Sequence, residues 1–237
     1  MLLFYIRHGE PIYNPNTLTP MGERQAEAVA KRLTFYGIDE IYSSTSERAQ
    51  LTALPTAQIM RKDVRLLDFC NEAYAEKEFG FVDGDRWAWV FQHPRFRKIL
   101  ASKEIAKLGD EWYEYPGFEK YKFKDGVKRI NTAVDKFMAE LGYEHDREKR
   151  IYNAVKPNDK RIALFAHHGF GIYFLSSILD IPYPMFSNHF DIGFTGMTVI
   201  DFRTEDGISI PRALTVSNDS HIYREGLPTN YNNEIRF

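Results

Sequence analysis

Cysteine is almost missing from this chain. Its one cysteine, Cys70, cannot close a disulfide within the molecule, which fits a reducing compartment. Long apolar runs are missing too. The longest candidate, "FGIYFLSSILDIPYPMF", is cut by Ser176, Ser177, Asp180 and two prolines, so no segment suits a bilayer span. The N-terminal "MLLFYI" has no basic stretch or cleavage site and meets Arg7 too early for a signal peptide. No charge sign dominates: 31 Lys and Arg against 33 Asp and Glu give a formal net charge of −2. That balance argues against nucleic acid or an anionic membrane as a partner. Repeats and low-complexity tracts are absent as well. What remains is an ordinary globular composition, and the expectation is a soluble, cytoplasmic protein. Its 237 residues suit one domain over 1–237, with an insertion at about 70–125.

The first third alternates strand and helix patterns. "LLFYI" (2–6), "EIYSS" (40–44) and "VRLLDF" (64–69) read as strands. Between them, 18–37 reads as a helix with Thr19 as N-cap, Pro20 in its first turn and Gly37 as its stop. Residues 46–60 form a second predicted helix that Pro55 should kink or end. Such alternation predicts an α/β fold with a mostly parallel sheet. Residues 70–125 hold all three tryptophans (Trp87, Trp89, Trp112) and many Phe and Tyr without a sustained period. We read them as an aromatic-rich cap. Beyond it come a helix (125–142), a charged connector (143–160), a strand "RIALFA" (161–166), a helix (171–179) and two strands (196–202, 213–218).

In α/β sheets, ligands gather outside the carboxyl ends of the strands. Arg7, His8 and Gly9 follow the first predicted strand, and Ser43, Ser44 and Arg48 follow the second. Glu72 follows the third, and His167, His168 and Gly169 follow the strand at 161–166. No member is informative alone. Arginines, imidazoles and a carboxylate brought to one rim by four separate segments are.

"RHGE" (7–10), Asn14, "LTPMGERQA" (18–26), "SSTSERAQLTA" (43–53) and the histidine pair before Gly169 together resemble the histidine phosphatase superfamily, the phosphoglycerate mutase-like family. The resemblance implies a three-layer α/β/α sandwich with a mostly parallel central sheet. It implies hydrolysis of a small phosphomonoester through a phosphohistidine, without metal or other cofactor. A mutase that passes the same phosphoryl group back to its product is the alternative, and an inactive phosphate-binding module a remote one. A possible homodimer is also among the expectations.

The resemblance makes His8 the nucleophile, and it makes Arg7, Arg48 and Asn14 the phosphate ligands. Guanidinium forks suit phosphoryl oxygens better than lysine does, and imidazole is nucleophilic near neutrality. Gly9 should let a phosphate approach the backbone. For the second histidine, the strand end favours His167 and the following helix favours His168; the alternative stays open, with His167 preferred. For the proton donor, Glu72 in "DFCNEAY" is preferred and Glu76 in "EKEFG" is the alternative. Gln25, Ser43, Ser44 and His221 are further candidates near the rim. Selectivity should lie in 70–125, where Arg95, Arg97 and Lys98 are either a second anion site or a solvated basic face.

Overall fold

Alternation along the strands decides the architecture. In a computed structural model, which describes residues 1–229, six strands form one sheet. They are β1 (Leu2–Arg7), β2 (Glu40–Ser44), β3 (Val64–Leu67), β4 (Arg161–Ala166), β5 (Met197–Asp201) and β6 (Arg212–Asn218). The sheet order is β6-β5-β1-β4-β2-β3. β1, β4, β2 and β3 run parallel, and β5 and β6 add antiparallel pairings at one side.

Successive residues of a strand face opposite layers. Leu3 and Tyr5 of β1, with Ile162, Leu164 and Ala166 of β4, enter one core. Phe4 and Ile6, with Ala163 and Phe165, enter the other. The second core is closed by Val29 and Leu33 of α1 (Pro20–Tyr36) and by Ala53 and Ala57 of α2 (Glu47–Met60). The first is closed by α4 (Phe123–Glu140) and α5 (His168–Leu179). The result is the expected three-layer α/β/α sandwich. α3 (Glu72–Phe79) follows a short 3₁₀ turn after β3, and α6 (Tyr183–His189) follows α5.

The sequence signals for α1 hold in detail. Thr19 Oγ1 accepts the Gly22 N–H at 3.0 Å, and Gly37 stops the helix with φ +67°. α2 runs through Pro55 instead of ending there. The 143–160 connector is not a loop: Tyr143–Asp146 and Ile151–Ala154 pair antiparallel in a second small sheet. Tyr143 and Tyr152 are the buried residues of these two strands, too few to give a visible period among so many charges. α5 begins at His168, earlier than expected, so the histidine pair straddles its N-terminus.

The rings of 70–125 are continuous with the first core. Trp112 stacks on Tyr183 at 4.9 Å, and Phe79 stacks on Tyr173 at 5.0 Å. Trp89 lies where a Cβ on Gly169 would fall, so the aromatic stretch reaches the helix end that bears the histidines.

Candidate active site

The sheet delivers its rim residues to one place. β1 ends at Arg7, and the His8 N–H continues the ladder onto the Ala166 carbonyl at 2.9 Å. The His8 and His167 ring centroids lie 5.3 Å apart. Arg7, His8, Arg48, Glu72, His167 and His168 are each 7% exposed or less. Groups that polar are buried together only where they serve one another or a ligand.

His8 Nδ1 is 2.7 Å from the Gly9 carbonyl oxygen. A carbonyl can only accept, so Nδ1 carries the proton and Nε2 keeps its lone pair. Burial, then His167, Arg7 and Arg48, push the His8 pKa well below its ordinary value, so the ring is neutral at pH 7. Gly9 serves packing: a Cβ there would meet the Gly22 carbonyl oxygen of α1 at 2.6 Å. Its N–H donates to Thr52 Oγ1 at 3.0 Å. Packing against α1 therefore already requires a glycine at this position.

Arg7 Nη1 donates to the Ile192 carbonyl at 2.6 Å, and its guanidinium lies 4.1 Å from the Phe194 ring centre. Burial lowers its pKa to about 10, which leaves it charged at neutral pH. Arg48, in the first turn of α2, donates to Asn16 Oδ1 at 3.0 Å. Asn16 Nδ2 in turn donates to Ser46 Oγ at 3.1 Å. The expected amide, Asn14, is exposed; its neighbour Asn16 is the one on Arg48. The intervening two-stranded turn, Pro11–Ile12 with Thr17–Leu18, was not visible in the sequence pattern.

Both histidines of the pair are buried, in different company. His167 Nε2 lies 2.8 Å from Ser44 Oγ, and its Nδ1 has no hydrogen-bond partner among the described residues. Burial, then Arg48 and Arg7, hold its pKa well below the ordinary value. His168 Nε2 lies 2.5 Å from Asp191 Oδ1, and its ring meets Phe91 edge-on at 5.0 Å. Burial chiefly, and Arg7 secondarily, lower its pKa to about 4.

Glu72 opens α3. Its two oxygens accept the Gly169 and Phe170 N–H groups at 2.8 and 3.0 Å, at the positive end of α5. Burial nevertheless raises its pKa to about 7; the two amides and Arg48 only partly offset it. Each oxygen keeps a second lone pair, so the amides fix the carboxyl without preventing its protonation. Glu76, one helical turn on, is also raised, by burial, while Arg48 opposes.

The smaller candidates brace the rim. Gln25 Oε1 accepts the Glu10 N–H at 2.8 Å. Ser44 Oγ accepts the Ser46 N–H at 3.2 Å, and Ser43 Oγ donates to the Ser44 carbonyl at 3.0 Å. His221 is buried with Nε2 3.0 Å from Thr195 Oγ1; the Thr195 N–H reaches the His8 carbonyl at 3.3 Å. Arg97 donates to the Asn188 carbonyl, tying the cap to α6. Sequence reasoning missed the whole 191–196 segment, in which Asp191, Ile192 and Phe194 pack on the site through an irregular loop without a motif.

The model of the histidine phosphatase superfamily, branch 1, matches residues 3–210. The chain belongs to this superfamily. No curated protein matches it by sequence. Among solved structures, it is similar to a phosphoserine phosphatase mutant from Entamoeba histolytica in complex with phosphoserine. That likeness has a TM-score of 0.59 and 21% identity, and covers 93% of this chain and 98% of that one. It is also similar to a mycobacterial glucosyl-3-phosphoglycerate phosphatase, with a TM-score of 0.57 and 18% identity, covering 91% and 98%. At such identities the likeness establishes the phosphoglycerate mutase-like fold. Among the described residues, no helix is long and apolar enough to cross a membrane, and no three His, Cys, Asp or Glu side chains gather as a metal site would require.

Proposed function

We propose that this family member is a phosphatase that hydrolyses a small phosphomonoester through a phosphohistidine on His8. One observation carries the reading: the His8 ring is turned by the Gly9 carbonyl so that Nε2 keeps its lone pair, within a buried cluster of two arginines and a second imidazole. Arg7 and Arg48 hold the non-bridging phosphoryl oxygens. His8 Nε2 attacks phosphorus as the ester P–O bond breaks, and the Glu72 carboxyl gives its proton to the departing oxygen. The Glu72 carboxylate then takes a proton from water, whose oxygen displaces Nε2 and releases phosphate.

His167 faces the transferring group. In the tautomer this reading requires, Ser44 Oγ, which accepts from Ser46, donates its hydrogen to His167 Nε2, and Nδ1–H is the donor to a phosphoryl oxygen. The cap at 70–125 selects the alcohol. Hydrolysis is favoured over mutation because both neighbours named above are phosphatases.

Leaving-group chemistry tests the roles of the acids. With Glu72→Gln, turnover of an alkyl phosphate falls about 100-fold or more, while p-nitrophenyl phosphate, whose phenolate leaves unprotonated, loses much less. If Glu76→Gln shows this split and Glu72→Gln does not, Glu76 is the donor. If His8→Ala retains activity on both esters, the whole reading is wrong.

A further inference from the structure

Both backbone polar groups of His167 end on a single phenol. Tyr5 Oη donates to the His167 carbonyl at 2.6 Å and accepts the His167 N–H at 3.1 Å. The reason lies in the sheet. The β1–β4 ladder stops at the pair Arg7↔Ala166, so His167 is the first residue to leave it. Its N–H and C=O must find partners in a dry interior. The side chain of Tyr5, on the α5 face of the neighbouring strand, takes the place of the missing strand neighbour. The Tyr5 ring is fully buried and stacks on Phe174 at 5.3 Å. It lies so near the first turn of α5 that a Cβ on Gly171 would fall 2.5 Å from Oη. A phenylalanine would fill the same core space; the hydroxyl is what reaches His167.

The chain presents two consecutive imidazoles at this corner, and nothing in their chemistry chooses between them. A displacement of one residue would put His168 where His167 stands. We propose that Tyr5 is a positioning residue that locks this register, so that His167 and not His168 stands beside His8. The proposal rests on the reading of this site as a phosphoryl pocket. Further along, Glu72 secures the Gly169 and Phe170 amides, so the lock acts in the gap between the last sheet residue and those amides, on the first of the two histidines.

The test uses the full chain, wild type and Tyr5→Phe, with orthovanadate as the probe and imidazole NMR resonances assigned through His167→Ala and His168→Ala. In wild type, vanadate should shift the His167 resonances strongly and those of His168 weakly. In Tyr5→Phe, the two should respond comparably. Turnover of p-nitrophenyl phosphate gives a second readout. In wild type, His167→Ala should cost about 100-fold more in kcat than His168→Ala; in the Tyr5→Phe background that ratio should shrink at least about tenfold. A merely structural hydroxyl would lower Tm and leave the ratio unchanged. Should Tyr5→Phe not fold, Gly171→Ala, which pushes the phenol off His167 while keeping its hydroxyl, should narrow the same contrast. Unaltered His167 selectivity in the folded variant overturns the lock. Absence of both turnover and any vanadate response in wild type overturns the phosphoryl-pocket reading, and the lock with it.

Discussion

Replacing Glu72 by glutamine should change how stability depends on pH, and the size of the change follows from where the carboxyl sits. Glu72 has an ordinary value of 4.5 in the open chain and about 7 in the fold, chiefly through burial. Between those two values the folded state binds more protons than the unfolded one, so stability falls as pH rises. Once pH passes the folded value, the ionised buried carboxyl costs the native state about 3 kcal/mol, at about 1.4 kcal/mol per pH unit. Glutamine carries no such term. It has its own cost: its NH₂ faces one of the two amide donors that the carboxyl satisfies, and a buried donor without an acceptor costs about 1–3 kcal/mol. Glu72→Gln should therefore be less stable than wild type near pH 4, and as stable or more so at pH 8. For a chain of this size 1 kcal/mol is about 2–4 °C in Tm, so the difference between the two proteins should drift by about 6–12 °C across that range. Thermal unfolding of both by circular dichroism, in phosphate-free buffers, measures it, and every other titration common to the two cancels. Parallel Tm profiles would show that Glu72 titrates alike in both states and would refute a buried, uphill carboxyl.

Other outcomes follow from the same contacts. Arg48→Lys keeps the charge but loses the planar fork and the bond to Asn16; kcat/KM should fall about 100-fold, read by steady-state kinetics. Gly169→Ala drives a methyl into Trp89 and should cost about 1–3 kcal/mol in a denaturant melt. The His145 side chain is buried, between Asp135 and Asp180 at 3.1 and 2.9 Å. Burial alone would lower its pKa, but these two bonds outweigh it and the net shift is upward. The stabilisation from its charge is full below its ordinary 6.5 and is lost as pH rises through the higher folded value. His145→Gln should thus depress Tm most in mildly acidic buffer and least above neutrality.

Much of this was legible in the residues. The α1 caps, the strand at 161–166 and the rim positions of Arg7, His8, Arg48 and Glu72 follow from local chemistry and strand order. Asn16 escaped because a chain reversal places it on Arg48 ahead of Asn14, and such reversals depend on pairing two residues long. Tyr5 reads as one more apolar strand residue, because its hydroxyl meets a partner 162 positions away. The 143–160 strands were masked by their charges. Which histidine stands beside His8 turns on where β4 ends and α5 begins, and strand and helix signals overlap there by one residue.

If the proposed chemistry holds, His8 Nε2 carries the phosphoryl group during turnover. Rapid acid-free quenching of the enzyme with a ³²P-labelled phosphomonoester, followed by peptide mapping, would trap that group. An acid-labile, alkali-stable label should form on His8 and decay at the rate of turnover, and it should be absent from His8→Ala. Turnover with no label on His8, or with the label on another residue, would contradict it.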